Sequence, residues 1–139
     1  MEYVSLEKIV LKPIIWIVDY QQWPRAYLRA ELTERGFDAV GFMDLSQALI
    51  GLIDPNYRNP QAIVLELFDL FLTEKELGHL ADTGIPVVVL GGAVELNEDL
   101  VREYKWAAVI QRPFTIGRVA DVVVEVVADQ LKKRENSRQ

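Results

Sequence analysis

Two carboxylates stand where the chain leaves short apolar runs, and their placement is the first chemical signal in the sequence. Glu66 lies near the exit of Ala62-Ile63-Val64-Leu65-Glu66-Leu67, and Asp19 directly follows Ile14-Ile15-Trp16-Ile17-Val18. Runs of this length, rich in Val and Ile, read as strands buried on both faces of a parallel sheet. An unpaired carboxylate in the middle of such a strand is very costly to bury. At the carboxyl end it is cheaper, because open α/β sheets form their ligand crevice there. Glu66 therefore marks the expected functional face.

Composition removes several competing chemistries. The chain has no cysteine, so disulfides and thiolate metal sites are excluded, and its only histidine is His79, so a histidine-based metal cluster is too. His79 falls on a short helical stretch and reads as a surface or half-buried residue. Gly91-Gly92 lacks the G-x-G-x-x-G spacing of a phosphate-binding loop and reads as a flexible turn. Trp16 and Trp106 read as packing residues, whereas Tyr20 and Trp23 read as packing over the crevice rim.

The elements that must carry these residues follow from the order of the chain. Residues 1–13 form an N-terminal extension of unassigned structure, and 134–139 a basic tail. Between them, 14–133 read as one domain. Pro24 is expected at a first helical position, with Arg35-Gly36 as the exit, Leu28 and Leu32 one turn apart, and Glu31 paired with Arg35. A short strand over Ala39–Phe42 precedes a helix opened by the capping pair Asp44 and Gln47 and running through Ile53. Thr73 and Glu76 open another short helix, and Ile85–Leu90 form the next buried strand. Asn97 is expected to cap a helix reaching about Lys105, Ala107–Ile110 form a fifth strand, and Thr115 caps a last helix to about Lys133. Five short apolar strands alternating with five helices predict a doubly wound parallel sheet.

A net charge of -6 makes the domain a poor match for phosphate backbones, so no nucleic acid is expected to bind it alone. Lys132, Lys133, Arg134 and Arg138 leave the body still more acidic. No apolar run approaches a membrane span and no signal-peptide pattern opens the chain, so a cytoplasmic location is expected by default.

Over nearly its whole length the chain resembles the receiver domain of bacterial response regulators, a CheY-like, flavodoxin-like family. Ile17-Val18-Asp19 is similar to the family's opening strand and Pro60–Leu67 to its third, which normally ends in the phosphorylated aspartate. Ile85–Leu90 resembles the fourth, normally followed by Thr or Ser, and Arg112-Pro113-Phe114 resembles the family's Lys-Pro-Phe with its cis peptide bond. The resemblance implies the sheet order 2-1-3-4-5, with the strand of Glu66 in the middle.

At several positions the sequence departs from the family pattern. Where the family has a second acid to hold Mg²⁺, this chain has Tyr20, so tight magnesium binding is not expected. The phosphoacceptor position is Glu66, the hydroxyl switch position is Gly91, the aromatic switch position is Val109, and the lysine is Arg112. The resemblance thus predicts a pseudo-receiver with no cofactor and no enzymatic activity, in which Glu66 and Arg112 meet across the crevice. Two other readings stay open: phosphorylation on an atypical acid, Asp69 or Glu66, and a small-ligand or enzymatic domain on the same fold.

The last helix carries Val119, Val122, Val123, Val126 and Val127 on one stripe, extended by Ala120, Val124, Ala128 and Leu131. So wide an apolar surface exceeds what one sheet face covers. In receivers the fourth helix, fifth strand and fifth helix form the usual contact surface. A homodimer or protein partner is therefore expected there, centred on Val124 and Ala128, with Lys133 available to pair with Asp129.

Overall fold

The strands are built from side chains with no polar face to offer water, and this dictates a sheet covered on both sides. The computed structural model describes residues 11–137. Residues 1–10 of the expected N-terminal extension, and Arg138 of the basic tail, lie outside the described residues. The chain order is β1 (Ile14–Val18), α1 (Gln22–Glu34), β2 (Asp38–Phe42), α2 (Leu45–Ile53), β3 (Ala62–Glu66), α3 (Glu74–Asp82), β4 (Val87–Gly91), α4 (Ala93–Leu96), α5 (Asp99–Arg102), β5 (Ala108–Gln111) and α6 (Ile116–Ser137). All five strands are parallel, in the order β2-β1-β3-β4-β5.

Every residue of β1, β3 and β4 is buried. Alternation along the strands then separates two cores. Ile15, Ile17, Ala62, Val64, Val88 and Leu90 pack with Leu28 and Leu32 of α1 and with Val119, Ala120, Val123 and Val127 of α6. Trp16, Val18, Ile63, Leu65, Val87 and Val89 pack on the other face with Leu45 and Ala48 of α2, Leu77 and Leu80 of α3, and Val101 of α5. Each buried Val, Leu or Ile among them contributes roughly 1.5–3 kcal/mol of transfer free energy, which makes this apolar alternation the main reason the sheet holds together.

Three expected caps are present. Asp44 accepts the Gln47 N–H at 2.8 Å, although the Gln47 side chain reaches back to the Met43 N–H rather than to Asp44. Thr73 and Glu76 form a reciprocal capping box, and Thr115 Oγ1 accepts the Arg118 N–H at 3.1 Å. The Glu31–Arg35 pair forms at 3.1 Å, and Arg35 also binds Asp121, tying α1 to α6. Gly36, at φ +91°, supplies the left-handed turn after α1.

Several boundaries differ from the sequence reading. Helix α1 begins at Gln22, so Pro24 is its third residue; its missing N–H falls among the orphan donors of the first turn and costs nothing. Asn97 does not open a helix to about Lys105: it closes the four-residue α4, and the helix that follows, α5, is capped by Glu98 and is four residues long. Gly92 is the N-cap of α4 in extended backbone and Gly91 is the last residue of β4, so the pair is not a free turn. Helix α6 continues through residues 134–137 of the expected tail. Among the described residues Lys133 makes no ion pair with Asp129.

Candidate functional site

Strand register brings the two signal carboxylates together. Val18 pairs with Leu65, so the next residues, Asp19 and Glu66, emerge side by side at the carboxyl end of the sheet. Both are buried, each only 5% exposed. Glu66 is the last residue of β3 and pairs with Leu90 on its other side, which fixes its side chain at the mouth of the crevice.

Arg112 reaches this point from the turn after β5. Its backbone N–H donates to Gly91 O at 2.8 Å, anchoring the turn to the end of β4. Its guanidinium then meets Glu66 in a two-pronged contact, Nη1 to Oε2 and Nη2 to Oε1, both 2.8 Å. This fork-on-carboxylate geometry is the strong form of the ion pair. Glu66 Oε1 also accepts the Phe68 N–H at 3.0 Å. On its outer side Arg112 lies 3.5 Å from Glu95, with its guanidinium carbon 5.9 Å from the Phe68 ring and 5.5 Å from the Phe114 ring. The Glu66 carboxylate holds the Arg112 proton more tightly than usual. The Arg112-Pro113 peptide bond is cis.

Asp19 has a different environment. Its Oδ1 accepts the Gln21 N–H at 2.9 Å, a turn in which an aspartate binds the backbone two residues on. Its carbonyl takes the Arg25 Nη1 at 2.6 Å. Burial pushes the Asp19 carboxyl up to about 6; the Gln21 N–H opposes this, the Glu66 charge adds to it, and Arg25 and Arg112 oppose it. Desolvation outweighs every partner, so this acid is held half-neutral near pH 6.

The remaining candidates fall into place around this pair. Tyr20 is 53% exposed and turns away from Asp19's buried position, and Trp23 is exposed and stacks on Tyr27 of its own helix with ring centroids 6.3 Å apart. Neither packs over the crevice as the sequence reading expected: Tyr20 precedes α1 and Trp23 lies in its first turn, and both are exposed. A side chain at Gly91 would find Leu67 Cδ1 and Leu96 Cγ and Cδ2 at 3.3 Å, so apolar groups fill the space beside that position. Val109 is exposed on β5. Asp69 lies beyond the strand end, exposed in a turn at φ +52°, and β3 does not extend to meet it. Val124 and Ala128 are exposed on α6, His79 is exposed on α3, and the Trp106 indole donates to Val101 O.

Sequence reasoning missed Glu95, Gln21 and Arg25 as members of this constellation. The Asp19–Gln21 turn is readable from an aspartate at a strand exit; the Glu95 and Arg25 contacts depend on where α4 and α1 dock, which no local pattern reports. Among the described residues no cluster of three or more His, Cys, Asp or Glu is placed to hold a metal ion, and no helix is long and apolar enough to cross a membrane.

No protein-family model matches the sequence, and no curated protein matches it. Solved structures do. A response regulator from Thermotoga maritima superposes with a TM-score of 0.63 at 16% identity, covering 85% of this chain and 99% of that one. The receiver domain of a Luxo repressor protein from Vibrio parahaemolyticus gives 0.70 at 17% identity over 89% and 96%. The receiver domain of the Francisella response regulator 1452 gives 0.70 at 19% identity over 85% and 98%. The five parallel strands in the order 2-1-3-4-5, with helices on both faces, are therefore the receiver fold.

Proposed function

We propose that this domain is a pseudo-receiver: a signalling module that works through protein contacts and takes no phosphoryl group. The observation that carries the reading is the two-pronged Glu66–Arg112 pair, which occupies both carboxylate oxygens at the position of the acceptor. A nucleophilic carboxylate needs a free oxygen facing the incoming phosphorus, and here each oxygen already accepts a charged N–H. The surroundings support the same reading. A phosphoryl group needs a cation to offset its charge, and Mg²⁺ wants an octahedral oxygen shell. Tyr20 faces solvent and both Glu66 oxygens are engaged by arginine, which leaves Asp19 alone at the crevice mouth as a thin donor set for magnesium. Gly91 offers no hydroxyl, and Leu67 and Leu96 crowd its place.

The contact surface we assign to this module is the face of α4, β5 and α6. Val94, Val109 and Val124 are exposed there, 79%, 53% and 39% respectively, with Ala128 one turn beyond Val124. A homodimer or a partner protein would cover them.

Incubation with acetyl phosphate and Mg²⁺, followed by intact-mass measurement, tests the central claim. The expected result is an unmodified chain. Stoichiometric addition of one phosphoryl group, mapped to Glu66 or Asp69, would overturn it.

A further inference from the structure

A groove of about 660 Å³ runs along α1 beside the outer edge of β2, which no strand pairs among the described residues, and is lined by Arg25, Ala26, Arg29, Ala30 and Gly41. It lies on the flank of α1 away from the Arg35–Asp121 bridge to α6. Strand parity defines what the edge offers. The Asp38 N–H donates to Pro13 O and the Asp19 N–H to Phe42 O, so the even-numbered residues of β2 bond to β1. Ala39 and Gly41 therefore turn their N–H and C=O groups outward, as an unpaired edge does.

Both arginines are fixed in place by backbone acceptors. Arg29 Nε donates to Ala39 O at 2.9 Å and Arg25 Nη1 to Asp19 O at 2.6 Å. Arg25 also packs on Gly41: a Cβ there would sit 2.9 Å from Arg25 Cδ, so a larger residue would have to displace the Arg25 side chain. Each guanidinium carries five N–H donors in a rigid fork, and most remain unused. Among the described residues no carboxylate lies within ion-pair distance of either, whereas Arg58 has one and Arg35 and Arg112 have two each. Like charges four residues apart also weaken a helix. In a chain of net charge -6, two preorganised guanidiniums with no close ion pair among the described residues, beside the outer strand edge, are complementary to an anionic ligand.

We infer that this groove docks an acidic, extended segment of a partner protein, anchored by Arg25 and Arg29. Its carboxylates take the free guanidinium donors, and its backbone takes the outward N–H and C=O of Gly41, the one edge position whose carbonyl no arginine covers. A nucleic acid is the poorer fit, because the surrounding negative charge repels a continuous phosphate chain and two arginines neutralise little of it. The inference does not rest on the proposed loss of phosphotransfer, although Arg25 also binds the Asp19 carbonyl at the crevice, and it survives or fails on its own test.

The probe is a short fluorescein-labelled peptide of alternating Glu and Thr, titrated into the full chain and followed by anisotropy and by backbone amide NMR. Saturable, salt-sensitive binding is expected, with amide shifts concentrated at Gly41, Ala39 and the first turns of α1. Arg25→Gln with Arg29→Gln should weaken it by about tenfold or more. The charge-matched control Arg102→Gln with Arg118→Gln should change it by less than about twofold, since those residues lie elsewhere. If the first variant fails a thermal-melt check of folding, Arg25→Lys with Arg29→Lys makes the comparison, keeping the charge and losing the fork. Absence of saturable binding, equal loss in variant and control, or shifts confined to other surfaces would overturn the inference. So would tighter binding of a single-stranded oligonucleotide of matching length.

Discussion

Truncating Arg112 would strand the Glu66 carboxylate in a site that is nearly closed to water. The Glu66 side chain is 7% exposed and that of Arg112 is 37% exposed, so one partner is deeply desolvated and the other is not. Losing the guanidinium should therefore cost more than a surface pair and somewhat less than a fully buried one. Arg112→Ala is expected to lower stability by about 2–4 kcal/mol in urea denaturation, and Arg112→Lys by less, because a lysine restores charge but not the fork. A loss within error of zero would mean that the pair contributes nothing to folding. Asp19 makes the opposite prediction. Its folded value of about 6 lies above the ordinary 3.8, so between those values the folded chain binds more protons than the unfolded one. Stability from this group is then present at low pH and declines as pH rises through that window. The ionised form costs on the order of 2 kcal/mol, allowing for water at the crevice mouth. Asp19→Asn keeps an oxygen for the Gln21 N–H and removes that cost. The variant should exceed the wild type in stability at about pH 8 and match it at about pH 4, a crossover that denaturation curves at the two pH values would reveal. A pH-independent difference would show that Asp19 does not titrate in this range.

At the scale of elements, α6 carries the sharpest expectation. Val119, Val123 and Val127 face the sheet, while Val124, Ala128 and Leu131 face outward and leave apolar area in water. Sedimentation velocity at the highest soluble concentration should show self-association that Val124→Asp weakens, if a second copy covers this face. A strictly monomeric wild type would confine the proposed surface to a different partner. The elements also show what the sequence could and could not disclose. Ala62–Glu66 and Ile14–Val18 were readable because a strand buried on both faces has no polar period to obscure it. Asp44, Thr73 and Thr115 were readable because a cap is a local bargain between a side chain and an N–H three residues on. The stretch from Ala93 to Arg102 was not readable as two short helices: each is a single turn, too brief for a hydrophobic period to declare itself. Trp23 was misplaced for another reason, since which face of α1 meets solvent is decided by its docking on β2 and α6, and Tyr20 sits in the turn that leads into that helix.

On the scale of the molecule, the site was legible because topology fixes it. Once β3 lies between β1 and β4, Asp19, Glu66 and the turn bearing Arg112 must share one end of the sheet, whatever their separation along the chain. That Glu66 and Arg112 would meet there was implied by the resemblance to receivers, and the contact is present. The Glu95 contact and the Arg25 clasp did not, because they join elements whose relative tilt is set by side-chain packing. Arg112 itself is held by two carboxylates and two aromatic rings at its side chain and by the carbonyl of Gly91 at its backbone. On the reading proposed above, a cation so held belongs to the masonry and is no longer a toggle. Timing in whatever circuit employs this protein would then come from how many copies exist and when a mate arrives, quantities set by synthesis and turnover.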